Sequence, residues 1–168
     1  KVIPAEAGLG GGSSNAAAAL VGAATLWGIG VEDERVQEVA SRLGADVSFF
    51  LKGGCARLSG KGDVFEAQLE PRSGFVLLVR PDAGVSTGKA YAAFDDAPVL
   101  PGAEYLSLLA GLNAAADVSL YNNLEKAACS VTPVVAEVLE WGRAAAGKEN
   151  VVLCGSGSAV CCIFDSYQ

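Results

Sequence analysis

Residues 8–15 read Gly8-Leu9-Gly10-Gly11-Gly12-Ser13-Ser14-Asn15 and run without a break into Ala16-Ala17-Ala18-Ala19-Leu20, the strongest helix-forming stretch of the chain. Glycines lack the Cβ atoms that hold a backbone away from a ligand. They also reach positive φ, so successive N–H groups can turn inward as a nest. The positive end of the helix dipole stands directly behind such a loop, and the two together favour an anion, most naturally a phosphate. A flexible linker accounts for the Gly and Ser content but not for its placement against a strong helix. The segment is not a Walker A loop, because no Gly-Lys is followed by Ser or Thr, and no G-x-G-x-x-G occurs. Ser13 and Ser14 can donate to phosphate or, as with Ser14, ligate a magnesium ion; N-capping is their plainer role.

Composition narrows the chemistry available to such a loop. The 168 residues contain no histidine, which excludes the Ser-His-Asp triad, the Cys-His dyad and His-rich zinc sites. Twelve Lys and Arg against nineteen Asp and Glu give a net charge of −7. With the cations scattered along the chain, nucleic acid and anionic membranes are poor partners. The five cysteines (Cys55, Cys129, Cys154, Cys161, Cys162) are odd in number and form no C-x-x-C. They read as buried small hydrophobes in a reducing compartment. The uncharged stretch Ala7 to Val31 is mostly Gly, Ser, Asn and Ala, too weakly apolar to span a bilayer. No methionine is present and the first residue is Lys1, so a piece of a longer protein is expected.

Periodicity predicts a helix over residues 15–27 with Leu20, Ala24 and Trp27 on one face, ended by Gly28 and Gly30. A second helix is predicted over 32–43, with Val36, Val39 and Leu43 as its face and Gly44 closing it. Strands are predicted at 47–51, 55–58 and 64–69. Pro71 to Gly74 is a polar break, and Phe75 to Val79 is an apolar run of central-strand type. The break divides the chain into residues 1–72 and 73–168. Helices follow at 87–94, 104–115 and 122–128. A longer one starts with Thr132 as N-cap and Pro133 in its first turn, and has Val134, Val138 and Trp141 on one face. Strands 151–154 and 159–164 flank Gly155-Ser156-Gly157-Ser158. The mixture implies an α+β fold.

Gly44-Ala45-Asp46-Val47-Ser48-Phe49-Phe50 sets a single carboxylate among glycine and apolar residues. Such an acid is either a helix cap or a catalytic group aimed into a cleft. Gly155 to Ser158 reads equally as a hairpin turn or as part of a ligand site. Thr87 and Tyr91 are i, i+4, so both can reach one ligand, although an aromatic at that spacing is usually core.

In order along the chain these segments resemble the motifs of the GHMP kinases. Ala7 to Ala17 is similar to the family's second motif, in the triple-glycine form of the branch that acts on a cytidine diphosphate-linked polyol. Gly44 to Phe50 is similar to that branch's Gly-Ala-Asp-x-Pro-Phe-Phe, with Ser48 in place of proline. Leu153 to Val160 resembles the third motif, a tight turn packed against the phosphate loop. Ser86-Thr87 with Tyr91 resembles a Ser-Thr-x-x-x-Tyr segment, and Asn122-Asn123-Leu124-Glu125 an Asn-Asp-Leu-Glu in which Asn123 replaces the acid.

The resemblance implies a two-domain GHMP-kinase fold: a partial N-terminal domain over residues 1–72, then a ferredoxin-like C-terminal domain over 73–168. It implies ATP and Mg2+ as cofactors, with Gly8, Leu9, Gly10, Gly11, Gly12, Ser13 and Ser14 on the ATP phosphates. Asp46 becomes the base for the substrate hydroxyl, and Thr87 and Tyr91 the contacts to cytosine. The implied reaction phosphorylates the polyol's 2-hydroxyl in non-mevalonate isoprenoid precursor biosynthesis, in a bacterial cytoplasm or plastid stroma. Homoserine, mevalonate or a sugar as substrate, or a non-catalytic nucleotide-binding module, are the alternatives. The family's lysine, in a Lys-x-Asn-Leu-x-Leu segment, does not occur in these 168 residues, so residues 1–168 alone are expected to be inactive.

Overall fold

The computed structural model describes residues 2–167, so Lys1 of the first segment lies outside the described residues. The chain is α+β and forms two compact units. One contains Gly10–Pro71 and Asn113–Ala115; the other contains the described residues up to Leu9, Arg72–Leu112, and those from Ala116 onward.

The Gly10–Pro71 unit opens with α1 (Gly11–Leu26), followed by α2 (Glu34–Leu43) and α3 (Ala45–Lys52). Gly28, at φ 65°, ends α1 in a Schellman arrangement: the Gly28 N–H donates to the Thr25 carbonyl at 3.1 Å and the Ile29 N–H to the Ala24 carbonyl at 2.8 Å. The three helices bury Ala17, Ala40 and Val47 together, with Leu20 and Leu51 packed against them. The buried faces are narrower than the periodicity predicts, since Trp27, Val39 and Leu43 are exposed. The predicted strand 47–51 is the helix α3. An apolar run of this length suits either element. Here Val47 and Leu51, one turn apart, pack on the same small cluster, and Gly44 and Gly53 delimit the turn on either side. A hairpin, β1 (Cys55–Ser59) with β2 (Val64–Leu69), completes the unit.

In the second unit, β3 (Phe75–Val79), β4 (Val151–Leu153) and β5 (Val160–Phe164) form an antiparallel sheet in the order β3-β5-β4. β3 is therefore an edge strand and not the central strand that its apolar run predicts. Between β3 and β4 run α4 (Thr87–Asp96), α5 (Ala103–Ala110), α6 (Glu125–Val131) and α7 (Val134–Ala146). The core joins Val85, Ala90, Ala128, Val135, Leu139, Val151, Leu153, Val160 and Cys162. The buried stripe of α7 is Val135, Leu139 and Gly142, one residue on from the predicted face, and Trp141 is half exposed. The shift follows from the close approach of helix to sheet: a Cβ at Gly142 would stand 2.8 Å from the Cys162 Sγ, so only the glycine side can face the strands. Thr132 closes α6 instead of capping α7, and its hydroxyl donates to the Gly84 carbonyl at 3.2 Å.

Candidate active site

Gly10 is the N-cap of α1, left-handed at φ 62° and ψ 16°, and no side chain caps the helix. The Ser14 N–H is bonded back to the Gly10 carbonyl at 2.9 Å. The amides of Gly11, Gly12 and Ser13 have no acceptor among the described residues. Three free N–H groups stand at the positive end of a sixteen-residue helix, an arrangement that favours an anion. Ser13 and Ser14 lie inside the helix, and the Ser14 hydroxyl donates weakly to the Gly11 carbonyl at 3.4 Å. Their capping role is therefore not realised. A Cβ at Gly12 would meet nothing within 4 Å, so its surface is open.

Asp46 occupies the first turn of α3, is exposed, and makes no hydrogen bond or ion pair among the described residues. It caps nothing. Phe50, one turn further along the same helix face, approaches Gly10 so closely that a Cβ there would come within 2.8 Å of its ring. The carboxylate thus shares a helix face with the ring that abuts the loop.

In the other unit, the Gly155–Ser158 turn joins β4 to β5, and the Gly157–Ser158 peptide is cis. Gly8, at φ 70°, lies so close to this turn that a Cβ would collide with the Cys154 carbonyl oxygen. The Glu6 carbonyl accepts from Val85 N–H at 3.3 Å and Ser158 N–H at 3.0 Å, and the Ala7 carbonyl accepts from Ala159 N–H at 3.1 Å. The turn therefore holds the entry to the glycine loop. The same turn meets α4, where the Thr87 and Ser156 hydroxyls are hydrogen-bonded at 2.9 Å. Tyr91 is half exposed one turn on, so it is not core.

Asn122 and Ser156, which the sequence places in motifs without a role of their own, organise this region. The Asn122 side-chain amide donates to the carbonyls of Leu153 at 2.8 Å and Gly155 at 2.7 Å, while its Oδ1 accepts from the Leu124 N–H at 2.9 Å. Ser156 is the partner of Thr87. The signal for Asn122 in the sequence was its place at the head of the segment resembling Asn-Asp-Leu-Glu, with no role of its own assigned.

The first 54 residues match the GHMP kinases N terminal domain. Over those residues the chain is similar to the GHMP kinases. It is 37% identical over 98% of its length to the 4-diphosphocytidyl-2-C-methyl-D-erythritol kinase of Nocardioides sp., covering 57% of that protein. To the enzyme of the same name from Geobacter sp. it is 40% identical over 98% of its length, covering 58%. A crystal structure of 4-(cytidine 5'-diphospho)-2C-methyl-D-erythritol kinase superposes with a TM-score of 0.69 at 34% identity, over 97% of this chain and 59% of that one. The chain thus spans somewhat more than half the length of the GHMP kinases it matches.

The donor set bears on a metal. Among the described residues there is no group of three His, Cys, Asp or Glu placed to hold an ion. A hard divalent cation that takes most of its ligands from phosphate oxygens and water needs only one or two protein oxygens, which a hydroxyl such as that of Ser14 fits. All five thiols are free, and only Cys162 is buried; the other four are half-buried, more open than their apolar sequence context predicts. Burial, with Cys161 and Cys162 nearby, pushes the Cys154 thiol up to about 11. Beside the turn it is therefore a protonated, unreactive group at neutral pH. No helix among the described residues is long and apolar enough to cross a membrane.

Proposed function

We propose that the chain carries the phosphoryl-transfer site of an ATP-dependent kinase acting on the 2-hydroxyl of 4-diphosphocytidyl-2-C-methyl-D-erythritol, a step of non-mevalonate isoprenoid precursor synthesis. The observation that carries this reading is the uncapped, glycine-only entry to α1, whose free amides lie in the same unit as the unpaired Asp46. The names of the relatives supply the substrate. On this reading residues 1–72 form the ATP-binding domain and 73–168 the C-terminal one. The site then works in the bacterial cytoplasm, in keeping with relatives from Nocardioides and Geobacter rather than a plastid.

Phosphoryl transfer asks a protein chiefly for positioning and charge neutralisation. Gly8 to Ser14 hold the phosphates of ATP, which when bound supplies the transferred group. Mg2+, when bound, would neutralise phosphate charge, and the Ser14 hydroxyl is the protein oxygen that would hold it. Asp46 accepts the proton of the attacking hydroxyl, for which a carboxylate with no competing partner is suited. Thr87 and Tyr91 present a hydroxyl and an aromatic face to cytosine.

The test is the full-length protein with ATP, Mg2+ and a panel of alcohols. Turnover of the cytidyl-linked polyol is expected, and turnover of only homoserine, mevalonate or a sugar would replace the substrate. In the same assay Asp46→Asn is expected to lower kcat by about 10²- to 10⁴-fold, with unchanged thermal stability. Unchanged phosphotransfer would remove Asp46 from the mechanism, whereas nucleotide binding with no phosphotransfer by the wild-type protein to any of these alcohols would favour a non-catalytic nucleotide-binding module.

A further inference from the structure

The geometry points to Asn122 as a positioning residue for the substrate-binding face: through Gly155 and Ser156 it sets where the Thr87 hydroxyl stands. The inference rests on the cytidine reading of Thr87 given above. Asn122 is fixed at both ends of its carboxamide. Its NH2 group spends both hydrogens, on the Leu153 carbonyl at the end of β4 and on the Gly155 carbonyl in the turn. Its oxygen takes the Leu124 N–H immediately before α6. It therefore bolts the glycine turn to the start of α6.

From there two routes reach α4. Ser156, the next residue of the turn, shares a hydrogen bond with Thr87, the first residue of α4. Independently, α6 packs on α4 through Ala128 and Ala90, both fully buried. Small buried residues leave no side-chain slack, so the α6–α4 spacing follows the backbone. Glycines at 155 and 157, both at positive φ, would leave the turn free to adopt other conformations, and the Asn122 clamp removes that freedom.

The hydroxyl pair has a chemical consequence of its own. Thr87 and Ser156 together own two hydroxyl hydrogens and use one between them. Whichever of the two hydroxyls accepts keeps its own O–H free, and both keep unused lone pairs, so the pair together can offer a donor and acceptors to the carbonyl, ring nitrogen and amino group of a cytosine edge.

The test uses the full-length protein and cytidine 5'-diphosphate as probe, with affinity measured by calorimetry. Asn122→Asp keeps the shape and the acceptor for Leu124 but sets a carboxylate against two carbonyl oxygens. It is expected to weaken binding about five- to tenfold, as the loss of one well-placed hydrogen bond does. Thr87→Val is expected to do the same. In the Thr87→Val background, Asn122→Asp should then cost less than twofold, because the two act through one contact. Full additivity would overturn the inference, since a residue that is merely structural weakens both backgrounds alike. Should Asn122→Asp fail to fold, Ser156→Ala must show the same coupling to Thr87, and additivity there overturns the inference equally. Failure of the wild-type protein to bind the diphosphate at all defeats the cytidine reading itself, an outcome separate from additivity.

Discussion

Alanine at Gly8 and alanine at Gly12 have opposite consequences, because the two glycines are used for different things. Gly8 combines φ 70° with a backbone carbonyl where its Cβ would be. Gly8→Ala is expected to cost about 2–4 kcal/mol, from backbone strain plus displacement of the Cys154 peptide, read as a lower denaturant midpoint at unchanged m. Gly12 is helical and open, so as a structural position it would be better as alanine. Gly12→Ala is expected to raise stability by about 0.5–1 kcal/mol. It should nevertheless weaken ATP binding about tenfold, if a backbone amide must approach phosphate there. Wild-type affinity in that variant would return residues 8–14 to the status of a glycine-rich turn. The glycines as a class were legible in the sequence; which one meets Cys154 and which is left open was not. Partners some 145 residues away are set by tertiary packing.

Elements were legible where a local cap or stop fixed them, and misread where packing chose between equivalent faces. α2 starts where it does because Asp33 accepts from the Arg35 N–H at 3.0 Å, while its two oxygens take the Arg35 guanidinium at 2.9 and 2.8 Å. Those hydrogen bonds hold the Asp33 carboxyl down at about 2, against 3.8 for an unperturbed Asp. A lowered pKa means that the folded state prefers the charged form. The cap's contribution is thus fully present above about pH 4 and is lost as pH falls towards 2. A carboxyl 13C titration is expected to place the Asp33 midpoint near 2. A midpoint close to 4 would show that the fork does not persist in solution. Arg35→Ala should move it back towards the ordinary value, because the hydrogen bonds from the guanidinium are the largest cause of the shift. By contrast, α3 and the buried stripe of α7 could not be read from periodicity. The apolar run 47–51 fits strand or helix, and the α7 face was decided by the missing Cβ of Gly142 against Cys162, a contact invisible in the helix's own sequence.

At the scale of the whole molecule, the α+β class and the family resemblance follow from motif order, whereas strand placement depends on long-range pairing that no local pattern encodes. Phe75 to Leu78 illustrates the difference. Its apolar run marks a strand correctly, yet β3 pairs only with β5 among the described residues, and Phe75, Val76, Leu77 and Leu78 are 50%, 59%, 42% and 50% exposed. An apolar edge strand with free amides and carbonyls along one side is a template for another strand, and natural edges are usually blunted by charge or proline. This one carries neither within Phe75–Val79. The 168-residue chain is therefore expected to self-associate as its concentration rises, with static light scattering as the measure. Val76→Lys places a cation on that edge at a position with little packing to lose. It is expected to raise the concentration at which scattering begins while changing stability by less than about 0.5 kcal/mol. An exposed substitution of similar character far from β3, such as Leu26→Lys at the end of α1, is the control, because it alters net charge equally and leaves the edge intact. Equal suppression by both variants would mean that net charge governs association; suppression by Val76→Lys alone assigns it to the open edge of β3.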